Sequence, residues 1–260
     1  MRSKLELIFI SITLFFTFLF FITIGSLFLI PTPQGFINAL FSEEMLFALK
    51  LTIITSIVSA FLVMICAVPM AYTLSRYDFP LKTFVKTILD LPIAFPEIVI
   101  GIALLMLLGS NMLGNYLEVF GISIVFTPVG IVVAQFFVAL PFVVRVLYST
   151  FSYVDPRYEF VSRSLGYSEL ETFTSVTLPL AKNGIFAAGI IALARCMGTF
   201  ASVLFVGGGI FMKTETLSIS LYLNLSTGDV DMAITAGILL VIISFIAIAV
   251  MEKYATETRL

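Results

Sequence analysis

Apolar residues fall along this chain in long runs, separated by short stretches where charges and turn formers gather. The runs cover roughly 7–30, 47–74, 88–108, 128–148, 184–212 and 233–251. About 20 apolar residues carry a helix across the hydrocarbon layer, at about 1.5 Å of rise each. Every backbone N–H and C=O in lipid must be satisfied within the fold, so runs of this length predict helices. The strict alternation of a membrane β-barrel is absent. The pattern therefore predicts an all-α integral membrane protein of about six transmembrane helices, one membrane domain over 1–260. Its longest polar interruption covers about 149–183.

Charge orients these runs. Short cytoplasmic loops collect Lys and Arg. With the N-terminus inside, Arg2, Lys4, Arg76, Lys82, Lys86, Arg145, Arg157, Arg163, Lys182, Lys253 and Arg259 all fall on the inner face. Lys213 alone lies in an outer loop, with Lys50 at the outer end of the second run and Arg195 inside the fifth. The expected topology is N-in, C-in. The outer segments, about 31–46, 109–127 and 213–232, carry Glu43, Glu44, Glu118, Glu215, Asp229 and Asp231. The first run follows Met1-Arg2-Ser3-Lys4, is longer than a signal-peptide core and lacks a small-residue exit, so it reads as a retained span.

Composition narrows the chemistry. Of 260 residues, 60% are apolar and 12% charged, against about 45–50% and 25% in soluble domains. The absence of His excludes His-based acid–base catalysis and His metal ligands. Cys66 and Cys196 sit in apolar runs and read as packing residues. No basic stripe points to nucleic acid.

The interruption at 149–183 reads as structure. Asp155-Pro156 is a helix start, a capping side chain followed by proline at the first helical position. Residues 156–165 suit a short helix, Gly166 a positive-φ turn, and Ser168 the cap of a second helix with Glu169 and Glu171 near its positive end. Leu178-Pro179 is expected to end this helix–turn–helix before the fifth run. The bland alternative is an amphipathic loop on the bilayer surface.

This stretch, YVDPRYEFVSRSLGYSELETFTSVTLP, resembles the E-A-A…G…LP loop of binding-protein-dependent ABC-importer permeases. Gly166 matches the motif glycine and Leu178-Pro179 its end. Val161-Ser162 stand where the alanines would be and Phe160 where the glutamate would be, with Glu159 one place early as in the molybdate and sulfate branch. Leu91–Pro96 with Ile100–Leu105, Ala194-Arg195 with Phe205–Gly208, and Thr216–Asp231 also resemble molybdate and tungstate permeases, and sulfate, spermidine and iron permeases share parts of them. The resemblance implies the type I ABC importer permease fold. It also implies docking of two ATPase subunits through Asp155, Glu159, Phe160, Val161, Ser162, Arg163, Gly166, Leu178 and Pro179, pairing with a second copy, and delivery by an extracellular substrate-binding protein. Molybdate or tungstate is the expected cargo, sulfate the next.

No G-x-x-x-x-G-K-[ST] phosphate loop occurs, so no cofactor is expected in this chain and ATP-Mg belongs to a partner ATPase. Polar groups inside spans mark pathway candidates: Pro96, Glu97, Arg195, Thr199 and Ser202. Glu97 and Arg195 fall at depths about 3 Å apart along their spans. An ion pair between them would lower the cost of both; the alternative is a protonated or hydrated Glu97 and an Arg195 on carbonyls. Pro92 and Pro96 break the third run, by a packing kink or a lined cavity. Thr199, Ala201 and Ser202 suit either close helix packing or the solute route. Asp90, near the cytoplasmic end of the third run, reads as a capping or interfacial residue. A gradient-driven transporter would show matched broken helices in two halves, and an intramembrane enzyme a convergent nucleophile and base; neither pattern is evident. A non-transport scaffold is the remaining rival.

Overall fold

The computed structural model describes residues 3–109 and 112–257, with the side chains of 118 and 251–257 also outside the described set. Arg2 and Arg259, and the side chains of Glu118 and Lys253, therefore lie outside the described residues. In chain order the helices are α1 (Lys4–Ser26), α2 (Pro33–Leu40), α3 (Glu43–Arg76), α4 (Lys82–Ala94), α5 (Glu97–Leu108), α6 (Leu113–Val119) and α7 (Pro128–Tyr153). There follow α8 (Pro156–Ser164), α9 (Glu169–Thr172), α10 (Leu178–Gly198), α11 (Ala201–Gly207), α12 (Leu217–Thr227) and α13 (Val230–Glu257). The fold is all-α. Among the described residues five helices are long and apolar enough to cross a membrane, and α4 with α5 makes a sixth only as a broken pair.

The core is built by α3, α7 and α10. Ala60, Val63 and Ala67 of α3 meet Ala139, Val143 and Leu147 of α7 and Ala181, Ala188 and Ala192 of α10. Small side chains let these backbones approach closely, since lipid offers no hydrophobic drive between helices. A polar seam adds specificity between α3 and α7. Ser59 Oγ donates to Gln135 Oε1 at 2.8 Å, and Gln135 Nε2 donates to Thr55 Oγ1 and Ser56 Oγ. By contrast, α1 buries none of its apolar window, so in a bilayer it faces lipid or another chain all round.

The third run is not one span. α4 and α5 meet at Phe95-Pro96 with a bend of 112°. Pro96 has no N–H to offer, and it pushes Phe95 to an extended φ of −114° and ψ of 161°. The fifth run also differs from the expected 184–212. Its helix starts upstream at Glu169, stops at Gly198, and resumes as α11 after Thr199-Phe200.

Leu178-Pro179 does not end a helix. α9, a π-helical segment Phe173–Thr177 and α10 run continuously from Glu169 to Gly198. The wider π turn, in which Leu178 N–H bonds Phe173 O, lies just ahead of Pro179 and makes room for its ring.

The segment 213–232 is not an outer loop. Leu217 N–H donates to Thr52 Oγ1 at 2.8 Å, while Asn224 Nδ2 donates to Glu44 Oε1 at 3.0 Å. α12 thus runs antiparallel to α3, starting at Thr52, about 12 Å deeper than Glu44. The chain re-enters the membrane after α11 and climbs back out. Leu217, Ile219 and Ser220 are fully buried. The run of small hydroxyl residues in this segment lowered its apparent hydropathy, yet those hydroxyls are the groups that bond it inside the bundle.

Candidate functional site

Two places bring the chemically distinctive residues together. The first is the junction of the broken helices. Glu97 is the first residue of α5, and its Oε1 accepts from the N–H groups of Phe200 (3.1 Å) and Ser202 (3.2 Å). Ser202 Oγ donates back to the Glu97 carbonyl at 2.7 Å. Phe200 stands at the N-cap of α11 with no oxygen on its side chain. A carboxylate from α5 therefore satisfies two N–H groups at the start of α11 and complements its positive end. Thr199 O accepts from Ser218 Oγ at 3.0 Å, which draws in the start of α12. A Cβ on Gly101 would lie 2.7 Å from Ser202 Cα, so glycine sets how closely α5 approaches α11.

Glu97 and Arg195 do not pair. The carboxylate is committed to backbone N–H groups, and the Arg195 guanidinium lies 3.9 Å from the ring centroid of Phe142. Arg195 and Pro96 are exposed on the chain's surface, whereas Thr199 and Ser202 are buried. The two buried residues serve packing and capping. Arg195 sits one helical turn before the break, deep in the apolar run, and turns outward. A guanidinium at that depth is costly against lipid, so it faces water or protein.

The second place is α8, on the inner face. Asp155 caps it by accepting from Arg157 N–H at 2.9 Å. Gly166 follows with φ +95°, and a Cβ there would meet nothing within 4 Å, so the turn selects glycine by backbone angle alone. Ser168 and Glu171 form a reciprocal capping box at α9. Arg163 Nη1 lies 3.8 Å from Glu169 Oε1, an exposed contact of little energetic weight.

Glu159 and Ser162 point inward, away from any partner on the inner face. Glu159 is 4% exposed; its Oε1 accepts from Arg76 Nε and Thr177 Oγ1, both at 2.9 Å. Tyr72 O–H reaches its Oε2 at 3.5 Å, and Arg76 also bonds Val154 O at 2.7 Å. Ser162 Oγ lies 3.0 Å from Thr172 Oγ1. These bonds rivet α8 to the end of α3 and to the π segment. The opposite face of α8 and its turn exposes Phe160, Val161 and Leu165, with Leu170 beside them. Pro179 is exposed and Leu178 half-buried. Sequence reasoning counted Arg76 only as an inner-face charge and missed Tyr72 and Thr177 altogether; nothing in local spacing links them to Glu159.

The model of the binding-protein-dependent transport system inner membrane component matches residues 64–256. The chain belongs to this family. It is similar to the molybdate/tungstate transport system permease protein WtpB of Methanocaldococcus jannaschii, 32% identical over 242 residues, 92% of this chain and 94% of that one. It is also similar to the sulfate transport system permease protein CysT of Escherichia coli, 32% identical over 189 residues, 72% of this chain and 68% of that one. Its fold matches the crystal structure of a bacterial ABC transporter for alginate, with TM-score 0.77 at 18% identity over 96% of this chain and 94% of that one. The protein is an ABC-importer permease with several membrane-crossing helices.

Proposed function

We propose that two copies of this permease form the pathway of an importer for a tetrahedral oxyanion, molybdate or tungstate, on the cell membrane. Two ATPase subunits, which bind the ATP-Mg, dock on the exposed face of α8, and an external binding protein delivers the cargo. The observation that carries the coupling is the two-sided build of α8. Its inner side is bonded to α3 through Glu159 and Arg76, and its outer side offers Phe160, Val161 and Leu165 to a groove. A short helix fixed in this way moves with the spans above it. ATP would shift the permease between its two facing states only by binding the closed ATPase pair better than the open one.

Anion cargo is supported by the outward-turned Arg195 and by the near full-length similarity to a molybdate/tungstate permease. The sulfate permease similarity keeps sulfate as the second reading. The test is ATP-dependent uptake of labelled molybdate, tungstate and sulfate into vesicles holding the assembled transporter. Molybdate or tungstate uptake that excess sulfate fails to suppress supports the reading. Sulfate uptake alone replaces it.

A further inference from the structure

A cavity of about 610 Å³ opens at the inner membrane face between α3, α4 and α7, apart from both places described above. Two helical stripes line it. Lys86 and Asp90 stand one turn apart on α4; Arg145, Tyr148, Ser149 and Ser152 follow one face of α7. Its level is fixed by Tyr153, the last residue of α7, and by Lys82, the first of α4. The Lys86 ammonium lies 4.1 Å above the Tyr148 ring and so bridges the two helices. Neither the Arg145 guanidinium nor the Asp90 carboxylate has a hydrogen-bond or ion-pair partner among the described residues, although both face the same space. Ser149 Oγ has none either among the described residues.

We infer that this cavity holds the headgroup of an inner-leaflet aminophospholipid, its phosphate on Arg145 and Lys86 and its amine on Asp90. Basic pockets between spanning helices at the cytoplasmic side suit lipid phosphates, and the volume lies in the range of about 300–1,000 Å³ that ligand sites occupy. A free oxyanion would meet the two cations but also the carboxylate, which repels it. A headgroup bearing both charges meets all three groups.

The test uses the full chain, purified in detergent and titrated with phosphatidylethanolamine or phosphatidylglycerol, with bound lipid counted by native mass spectrometry. The expected result is phosphatidylethanolamine bound in preference to phosphatidylglycerol. K86Q/R145Q weakens both about tenfold, R145K retains binding, and D90N removes the preference. Ser149→Leu, which fills the cavity without changing charge, also weakens binding and guards against a misfolded charge variant. Equal retention by all variants, or a wild-type preference for phosphatidylglycerol, overturns the proposal. So does displacement of the lipid by millimolar sulfate or molybdate, which would make the cavity a free-oxyanion site.

Discussion

At the residue scale, Glu97 acts as a helix cap supplied from another helix. Glu97→Ala leaves two N–H groups of α11 without an acceptor, and each unsatisfied buried group costs about 1–3 kcal/mol. The thermal midpoint of the purified chain should fall, with Glu97→Gln falling less because its carbonyl still accepts. The Arg195 guanidinium lies over the Phe142 ring and does not meet Glu97, so the stability changes of E97Q and R195Q should add within about 0.5 kcal/mol. A double variant markedly more stable than that sum would mean the two charges pair after all. Arg195→Gln should leave the midpoint near the wild-type value and lower vesicle uptake at least tenfold, whereas an unchanged uptake rate would remove Arg195 from the pathway. Both charges were recognisable from sequence as costly at depth; their partners were not, because Phe200 and Ser202 offer backbone N–H groups that no side-chain pattern reveals.

At the element scale, α8 has a bonded side and a free side, and substitutions on them should behave differently. Removing the Glu159 carboxylate strands Arg76, and breaking a buried pair costs about 3–5 kcal/mol. Hydrogen exchange over Pro156–Ser164 should therefore rise sharply in Glu159→Ala. F160A/L165A touches exposed positions, where substitutions usually stay within about 0.5 kcal/mol. It should leave exchange unchanged but reduce the ATPase that co-purifies. The cap at Asp155, the glycine at 166 and the capping box at Ser168 were legible, since each depends on a few adjacent residues. The direction in which Glu159 points was not, because its partners lie on α3 and beyond the turn.

At the scale of the whole molecule, two interrupted helices meet at one level and a re-entrant hairpin closes over them. Gly101 holds that meeting point. Gly101→Ala sets a Cβ 2.7 Å from Ser202 Cα, a backbone neighbour that cannot swing aside. The variant should show a lowered thermal midpoint, by about 1–3 kcal/mol of overpacking, together with weaker binding of α5 to α11. A midpoint equal to wild type would show that the junction adjusts freely and is no rigid pivot.

The sequence alone determined that the chain crosses a membrane, how it is oriented and where its inner-face helix begins. Run length, loop charge and caps are local quantities, and lipid enforces them strictly. Tertiary structure decided which apolar runs are continuous and which segments return into the bundle. Pro96 and Thr199 interrupt helices at one level, and at the Thr199 break Glu97 reaches across from α5 to accept from the Phe200 and Ser202 N–H groups. The hydroxyl-rich start of α12 leaves the outer surface because Thr52 and Thr199 offer Leu217 and Ser218 partners at depth. The bonds from Glu97 and Thr52 join residues more than a hundred positions apart, so only the assembled fold reveals them.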